Sequence, residues 1–216
     1  IKHYSSDHKI LLVGEGDFSF AACLATSFGD ASNIVATSLD SKVELYKYSR
    51  ARTNLEKLVS LGCVVIHQVD AHTMSHHPLL KDKLFDKIVF NFPHATLMYN
   101  EHDPRQIGDH QELLKGFFKS ARELLTRGGE VHVTHKIVYP FSSWEIQILA
   151  LDLGLHLAQA PSFNRSDYPG YFNKRGHGLH CGRTFPVGAC RTYIFQTIES
   201  LVESLHTSSG RENIVS

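Results

Sequence analysis

Ile10-Leu11-Leu12-Val13-Gly14-Glu15-Gly16-Asp17-Phe18-Ser19-Phe20 is the stretch that decides the fold. Four consecutive apolar residues, Ile10 to Val13, have the length of a short buried strand. A glycine–acid–glycine turn follows, and a helix is expected to start near Asp17 to Phe20. A strand feeding a glycine-rich turn and then a helix is the nucleotide-binding corner of an open α/β sheet. Glycine allows the turn a positive φ and lets a ligand lie against bare backbone. The stretch therefore points to a ligand with a nucleoside part.

Strand-like and helix-like stretches alternate along the rest of the chain. Strands are expected at 34–39, 64–69, 85–90, 130–134, 155–160 and 191–196, and helices at 18–28, 42–60, 110–126 and 140–153. Gly62 and Gly154 act as stop signals, and Pro140 suits a first helical turn. Alternation of this kind predicts a mostly parallel sheet covered by helices on both faces. Only a long loop, 161–189, joins the last two strands, so they are expected to pair antiparallel at an edge. Seven strands ending in such a pair are typical of Rossmann-like methyltransferases rather than dinucleotide dehydrogenases. With no repeat or linker to divide it, the chain reads as one domain over 1–198 and a polar tail over 199–216.

Bulk properties narrow the function classes. The 216 residues suffice for one α/β domain with a substantial core. Charge balances at 22 basic against 22 acidic residues, so any nucleic-acid surface must be a local patch. No apolar run reaches the length of a membrane span. Cys23, Cys63, Cys181 and Cys190 form no CxxC pair, which predicts free thiols in a reducing compartment. No metal site is expected among the fifteen histidines; the best donor set is His177, His180, Cys181 and Cys190. The chain starts at Ile1 without methionine, as an excised fragment would.

Ligands in such a sheet lie beyond the carboxyl ends of the strands. Asp40, ending strand two, is placed to accept hydrogen bonds from ribose hydroxyls. Asp70, after strand three and followed by Ala71, would face an adenine amino group. Either acid would also serve as a helix cap or turn former. A dinucleotide fingerprint wants a third glycine where Ser19 stands. Glu15 and Asp17 would repel a pyrophosphate and suit a cationic methionine head, or simply begin the helix. Asn91-Phe92-Pro93-His94 ends strand four at the pocket. A polar acceptor there would hold a target proton, and a ring would stack on a base.

Several motifs together carry a family likeness: Val13 to Phe20, Ala36-Thr37-Ser38-Leu39-Asp40, Asn91-Phe92-Pro93-His94, Val133-Thr134-His135-Lys136, Tyr168-Pro169-Gly170-Tyr171 and Arg183-Thr184-Phe185-Pro186. On these the chain resembles the eukaryotic large-subunit ribosomal RNA uridine-N3 methyltransferase-like family, in particular its plant members. The likeness runs from about Lys9 to Phe195. It implies a Rossmann-like fold, S-adenosyl-L-methionine as cofactor, and ribosomal RNA or a pre-ribosome as partner. It also implies a nucleolar or nuclear location, with the cytoplasm as the alternative. Gly14, Glu15, Gly16, Asp17, Phe18, Ser19, Asp40, Asp70, Ala71 and Asn91 are then the cofactor-binding candidates. Ala95 to Tyr99 stand where the family often has glycines.

Uridine N3–H is a weakly acidic imide, so its methylation needs a proton acceptor. His94 is the candidate base, because an imidazole with its ordinary pKa of about 6.5 is largely neutral at pH 7. Asn91 would orient the imide, and Lys136 would stabilise charge on a uracil oxygen. Tyr171, Lys174, Arg175 and Arg183 in the long loop interleave rings and cations, as single-stranded RNA recognition uses them. A monomer is expected. The competing readings are a methyltransferase for a small molecule or protein, a silent cofactor-binding scaffold, and a nucleotide-dependent oxidoreductase.

Overall fold

A computed structural model describes residues 1–176 and 180–203 of the chain. Those residues form one seven-stranded sheet in the order β3-β2-β1-β4-β5-β7-β6. The strands are β1 Ile10–Val13, β2 Ile34–Ser38, β3 Val64–His67, β4 Phe85–Asn91, β5 Leu125–Lys136, β6 Leu155–Gln159 and β7 Cys190–Thr197. Neighbours from β3 to β5 are parallel. β7 runs antiparallel to both β5 and β6. The last hairpin thus exists, but β7 is inserted between β5 and β6 rather than lying at the edge. Thr134 and Thr192, fully buried side chains on adjacent strands, share a hydroxyl–hydroxyl bond of 3.2 Å there.

Period-two alternation divides the core between the two faces of the sheet. Ile10, Leu12, Ile34, Ala36 and Val89 join one apolar cluster with Phe20, Leu24 and Leu58. That face carries α1 Ser19–Phe28 and α2 Ala51–Ser60. Leu11, Val13, Val35, Ile88 and Phe90 face the other way, onto Leu114, Phe117, Phe118 and Trp144. This second face carries α3 Pro104–Glu123 and α4 Ile146–Asp152. No helix among the described residues is long and apolar enough to cross a membrane. All four cysteines are unpaired.

Three helices differ from their sequence reading. The stretch 42–60 divides into a 3-10 turn, Glu44–Lys47, and α2. Tyr48 breaks it by taking extended backbone (φ −106°, ψ 115°) and turning its ring into the core. Val43, Tyr46 and Val59 are exposed. Likewise, 140–153 divides into a 3-10 turn, Phe141–Trp144, and α4, with Glu145 left-handed at φ 53° between them. α3 begins at Pro104, six residues before the expected start; the Asp103 carboxylate accepts the Arg105 N–H, and proline takes the first turn. Its expected end overran into β5. Residues 198–203 are helical, and Arg122 and Arg127 pair with Glu199 and Glu203.

Candidate active site

The strand β1 ends in a turn built for close approach. Gly14 takes φ +68°, and a Cβ there would strike the Phe90 ring. Glu15 N–H donates to Thr37 O on β2 at 2.8 Å, which seats the turn over the carboxyl ends of the strands. Phe18, at φ 58°, then redirects the chain into α1. Asp17 stabilises the start of that helix by accepting the Ser19 N–H at 3.0 Å.

A cleft of about 460 Å³ opens in front of this turn. Gly14, Glu15, Gly16, Asp17, Asp40, Asp70, Ala71 and Asn91, eight of the ten expected cofactor residues, line it. Phe18 and Ser19 do not. Phe18 is fully buried, with its ring against His67 at 6.0 Å. The Ser19 hydroxyl accepts the Phe172 N–H at 2.9 Å and donates to Phe172 O at 3.2 Å. Ser19 is therefore a strut that holds the long loop over the cleft.

The acids of the cleft have distinct surroundings. Asp40 accepts Lys47 Nζ at 2.6 Å and the Tyr48 hydroxyl at 3.3 Å. A carboxylate offers about four lone-pair sites, so both oxygens retain acceptor capacity toward a diol. Asp70 accepts the His72 N–H at 2.9 Å, making a turn while it lines the cleft. Asp17 Oδ2 and Asn173 Oδ1 are buried without a hydrogen-bond partner. Lys174 Nζ lies 3.5 Å from that Asp17 oxygen. Orphaned acceptors beside Glu15 fit the ammonium and sulfonium of S-adenosylmethionine and oppose a pyrophosphate.

Burial pushes the Glu15 carboxyl from its ordinary value of 4.5 up to about 8, although its Oε2 accepts the Ala21 N–H at 3.3 Å. A raised folded-state pKa gives a contribution that is full below 4.5 and lost as pH rises through about 8. Glu15→Gln is expected to flatten that fall, gaining about 1–3 kcal/mol over wild type near pH 9. Thermal unfolding of both proteins across pH 5–9 checks it; parallel profiles would refute it.

A second cavity, of about 250 Å³, adjoins the first. Phe92, His94, Lys174 and Arg175 belong to the walls of both. Phe92 ends β4 in a left-handed conformation, φ 51°, and its N–H donates to Thr134 O at 2.8 Å. This bend sends Pro93 and His94 across the mouth between the cavities. Phe141, Trp144, Phe185 and Lys136 form much of the second cavity. Lys136 Nζ sits 4.8 Å from the Phe141 ring and 5.1 Å from the Phe185 ring, and burial lowers its pKa. His135, also on the wall, is held neutral: burial lowers it to about 3.

The loop candidates divide. Tyr171 is buried against Phe20, 5.2 Å between centroids, and lines the first cleft, so it is not available on the surface to stack on RNA. Lys174 turns its ammonium toward Asp17 and donates to Gly182 O at 3.1 Å, so it is a strut of the cleft rather than a free cation. Arg175 and Arg183 are exposed. Of the expected metal-donor set, His177 lies outside the described residues. The described residues gather metal-type donors elsewhere, at His94, Glu101 and His110. Sequence reasoning passed over Glu101, His110, Trp144 and Asn173.

Known proteins resemble the chain in sequence and in fold. The chain is 52% identical over 202 residues to Uncharacterized protein At4g26485 of Arabidopsis thaliana, covering 90% of this chain and 95% of that one. It is 51% identical to Heavy metal-associated isoprenylated plant protein 41 of the same plant, over 91% of this chain but only 38% of that longer protein. The 25S rRNA (uridine(2634)-N(3))-methyltransferase of Saccharomyces cerevisiae is 25% identical, over 80% of this chain and 67% of its own. In fold, the Precorrin-6y C5,15-methyltransferase of Geobacter metallireducens superposes with a TM-score of 0.54 at 11% identity, over 90% of this chain and 82% of that one. The family model described as rRNA (uridine-N3-)-methyltransferase, BMT5-like, matches residues 11–175, and the chain belongs to that family.

Proposed function

We propose that this protein transfers a methyl group from S-adenosylmethionine to N3 of a uridine in large-subunit ribosomal RNA. One observation carries the reading: His94 stands on the wall shared by a nucleoside-type cleft and a smaller, ring-lined cavity. That is the arrangement a methyl donor and a flipped base require. S-adenosylmethionine, which Asp40, Asp70, Glu15, Asp17 and Asn173 would hold in the first cleft, would supply an electrophilic methyl carbon to N3.

The chain's own residues do the remaining work. Asp40 and Asp70 hold the adenosine end, and Glu15, Asp17 and Asn173 hold the cationic end. Phe141, Trp144 and Phe185 enclose the uracil, excluding water. Asn91 orients the imide from the end of β4, and Lys136 stabilises the negative charge that develops on a uracil oxygen. His94 accepts the N3 proton. A ribosomal RNA substrate makes the pre-ribosome the partner and the nucleolus the place of work.

Label transfer from S-adenosylmethionine to RNA, compared with peptides and small nucleosides, tests the substrate class. RNA alone is expected to take label; transfer only to another acceptor would refute the reading. Arg175→Ala with Arg183→Ala is expected to weaken RNA binding and flatten its salt dependence by roughly 0.7 in log–log slope per cation. An unchanged slope in titrations across salt would remove both residues from the interface.

A further inference from the structure

Glu101 and His110 flank His94, and Gln106 fastens the segment between them, a grouping that the sequence pattern did not bring together. His94 Nε2 lies 3.1 Å from Glu101 Oε1, and His110 Nε2 lies 3.6 Å from Glu101 Oε2. His110 is fully buried and stacked on Trp144, 4.0 Å between centroids and 20° between planes. Gln106, also fully buried, accepts the N–H groups of Met98 and Tyr99 at 2.9 and 3.0 Å and donates to Thr96 O at 3.2 Å. The segment after His94 is thereby fastened to α3.

His110 Nδ1 accepts the Ala95 N–H at 3.1 Å, while its Nε2 lies 3.4 Å from the Gln106 amide nitrogen and 3.6 Å from Glu101 Oε2. Burial acts to raise the Glu101 carboxyl, but the neighbouring imidazoles of His110 and His94 overcome it and hold it well below the usual carboxylate range. Burial keeps His110 below an ordinary imidazole. Glu101 is thus a carboxylate facing two rings. His94 must carry a proton on Nε2 to bond it, which leaves the lone pair on Nδ1.

A metal ion is the rival reading, since the donor atoms of His94, Glu101 and His110 all lie within 4.8 Å of one another. A ligating histidine normally gives its other N–H to an acceptor. The other nitrogen of His110 faces a backbone donor instead, so a metal on Nε2 would require an imidazolate.

We propose that Glu101 and His110 are positioning residues that hold His94 as the Nε2–H tautomer, with Nδ1 ready to take the uridine N3 proton. This rests on the uridine-N3 reading above. The N3–H bond breaks, its electron pair stays on N3 for the new bond to carbon, and the proton passes to His94 Nδ1. Glu101 balances the imidazolium until the proton leaves to water. The logic is that of a carboxylate orienting a catalytic imidazole.

Titratable or charged groups face His94 from several elements: Glu101 and His110, then His135 and Lys136 from β5, and Lys174 and Arg175 from the long loop. Long-range 15N–1H NMR of the histidine rings in the whole chain separates their contributions. The expected result is an Nε2–H tautomer for His94 in wild type and a mixed tautomer in Glu101→Gln. In the same variant kcat falls about 10–100-fold with KM little changed, and the acid limb of its pH profile moves to lower pH. Glu101→Asp restores part of the rate.

An Nδ1–H tautomer for His94 in wild type would overturn the proposal whatever the activity. So would an unchanged kcat in a folded Glu101→Gln protein. Zinc or manganese that shifts the His94 and His110 resonances together would overturn it in favour of a metal site. An Nε2–H tautomer in a protein that methylates no uridine would overturn the uridine reading alone and uphold the hydrogen-bond assignment.

Discussion

His94→Ala is expected to lower kcat for RNA methylation by about 10²–10⁴-fold, the range that removal of a positioned base produces. Cofactor affinity is expected to stay at the wild-type value, because the residues proposed to hold the adenosine and methionine ends are others of the first cleft. The imidazole has one nitrogen committed to Glu101 at 3.1 Å, so alanine removes both the proton acceptor and the group that balances Glu101. The fold should survive, because the side chain is partly exposed and Pro93 still ends β4. Single-turnover rates with calorimetric titration of the cofactor check both halves. A kcat within a few-fold of wild type would exclude His94 as the base.

Gly14→Ala is expected to cost about 2–4 kcal/mol of stability and to abolish measurable cofactor binding. An alanine in the left-handed region costs about 1–2 kcal/mol. Its Cβ would also drive into the Phe90 ring, and overpacking of this kind costs about 1–3 kcal/mol more. Phe90 cannot retreat freely, because its far side is packed against Phe117 at 5.1 Å between centroids. The ring would move toward the cleft or the turn would lift, and either displaces the surface on which a cofactor lies. Gly16→Ala is the control. Gly16 has no positive φ, and its Cβ would meet Lys174 Cβ at an ordinary 3.4 Å. Denaturant unfolding and calorimetry of the pair check this. Wild-type stability and cofactor affinity in Gly14→Ala would show that the Gly14 turn is not the seat of the cofactor.

The sheet was legible because its strands are short apolar runs bounded by glycines and acids, and buried parallel strands need little else. The cofactor cleft was legible for a related reason: topology alone brings the ends of β1, β2, β3 and β4 together. Helix boundaries were less so. The dipeptide Asp103-Pro104 does mark the start of α3, but the apolar periodicity is strong only after residue 110. Tyr48 shows the opposite failure. It lies inside the stretch 42–60 expected to be one helix, yet its hydroxyl bonds Asp40 and its backbone leaves the helix.

The acceptor side was only half legible. Asn91-Phe92-Pro93-His94 announces itself because a proline at a strand end beside polar and ring residues has few structural uses. Glu101 and His110 carry no such signal. Their partnership with His94 depends on how Gln106 folds the segment 95–99 back onto α3, a tertiary event with no periodicity. Tyr171 and Lys174 looked like RNA contacts by composition. Their burial follows from Ser19 pinning Phe172, a bond across 153 residues of sequence.

The central claim, methyl transfer to uridine N3 beside His94, is tested most directly by nucleoside mass spectrometry. Large-subunit ribosomal RNA lacking the modification would be incubated with the protein and methyl-deuterated S-adenosylmethionine, then digested completely. The account predicts deuterated N3-methyluridine with wild type and none with His94→Ala. Label on a different nucleoside or atom, or equal N3-methyluridine from both proteins, would contradict it.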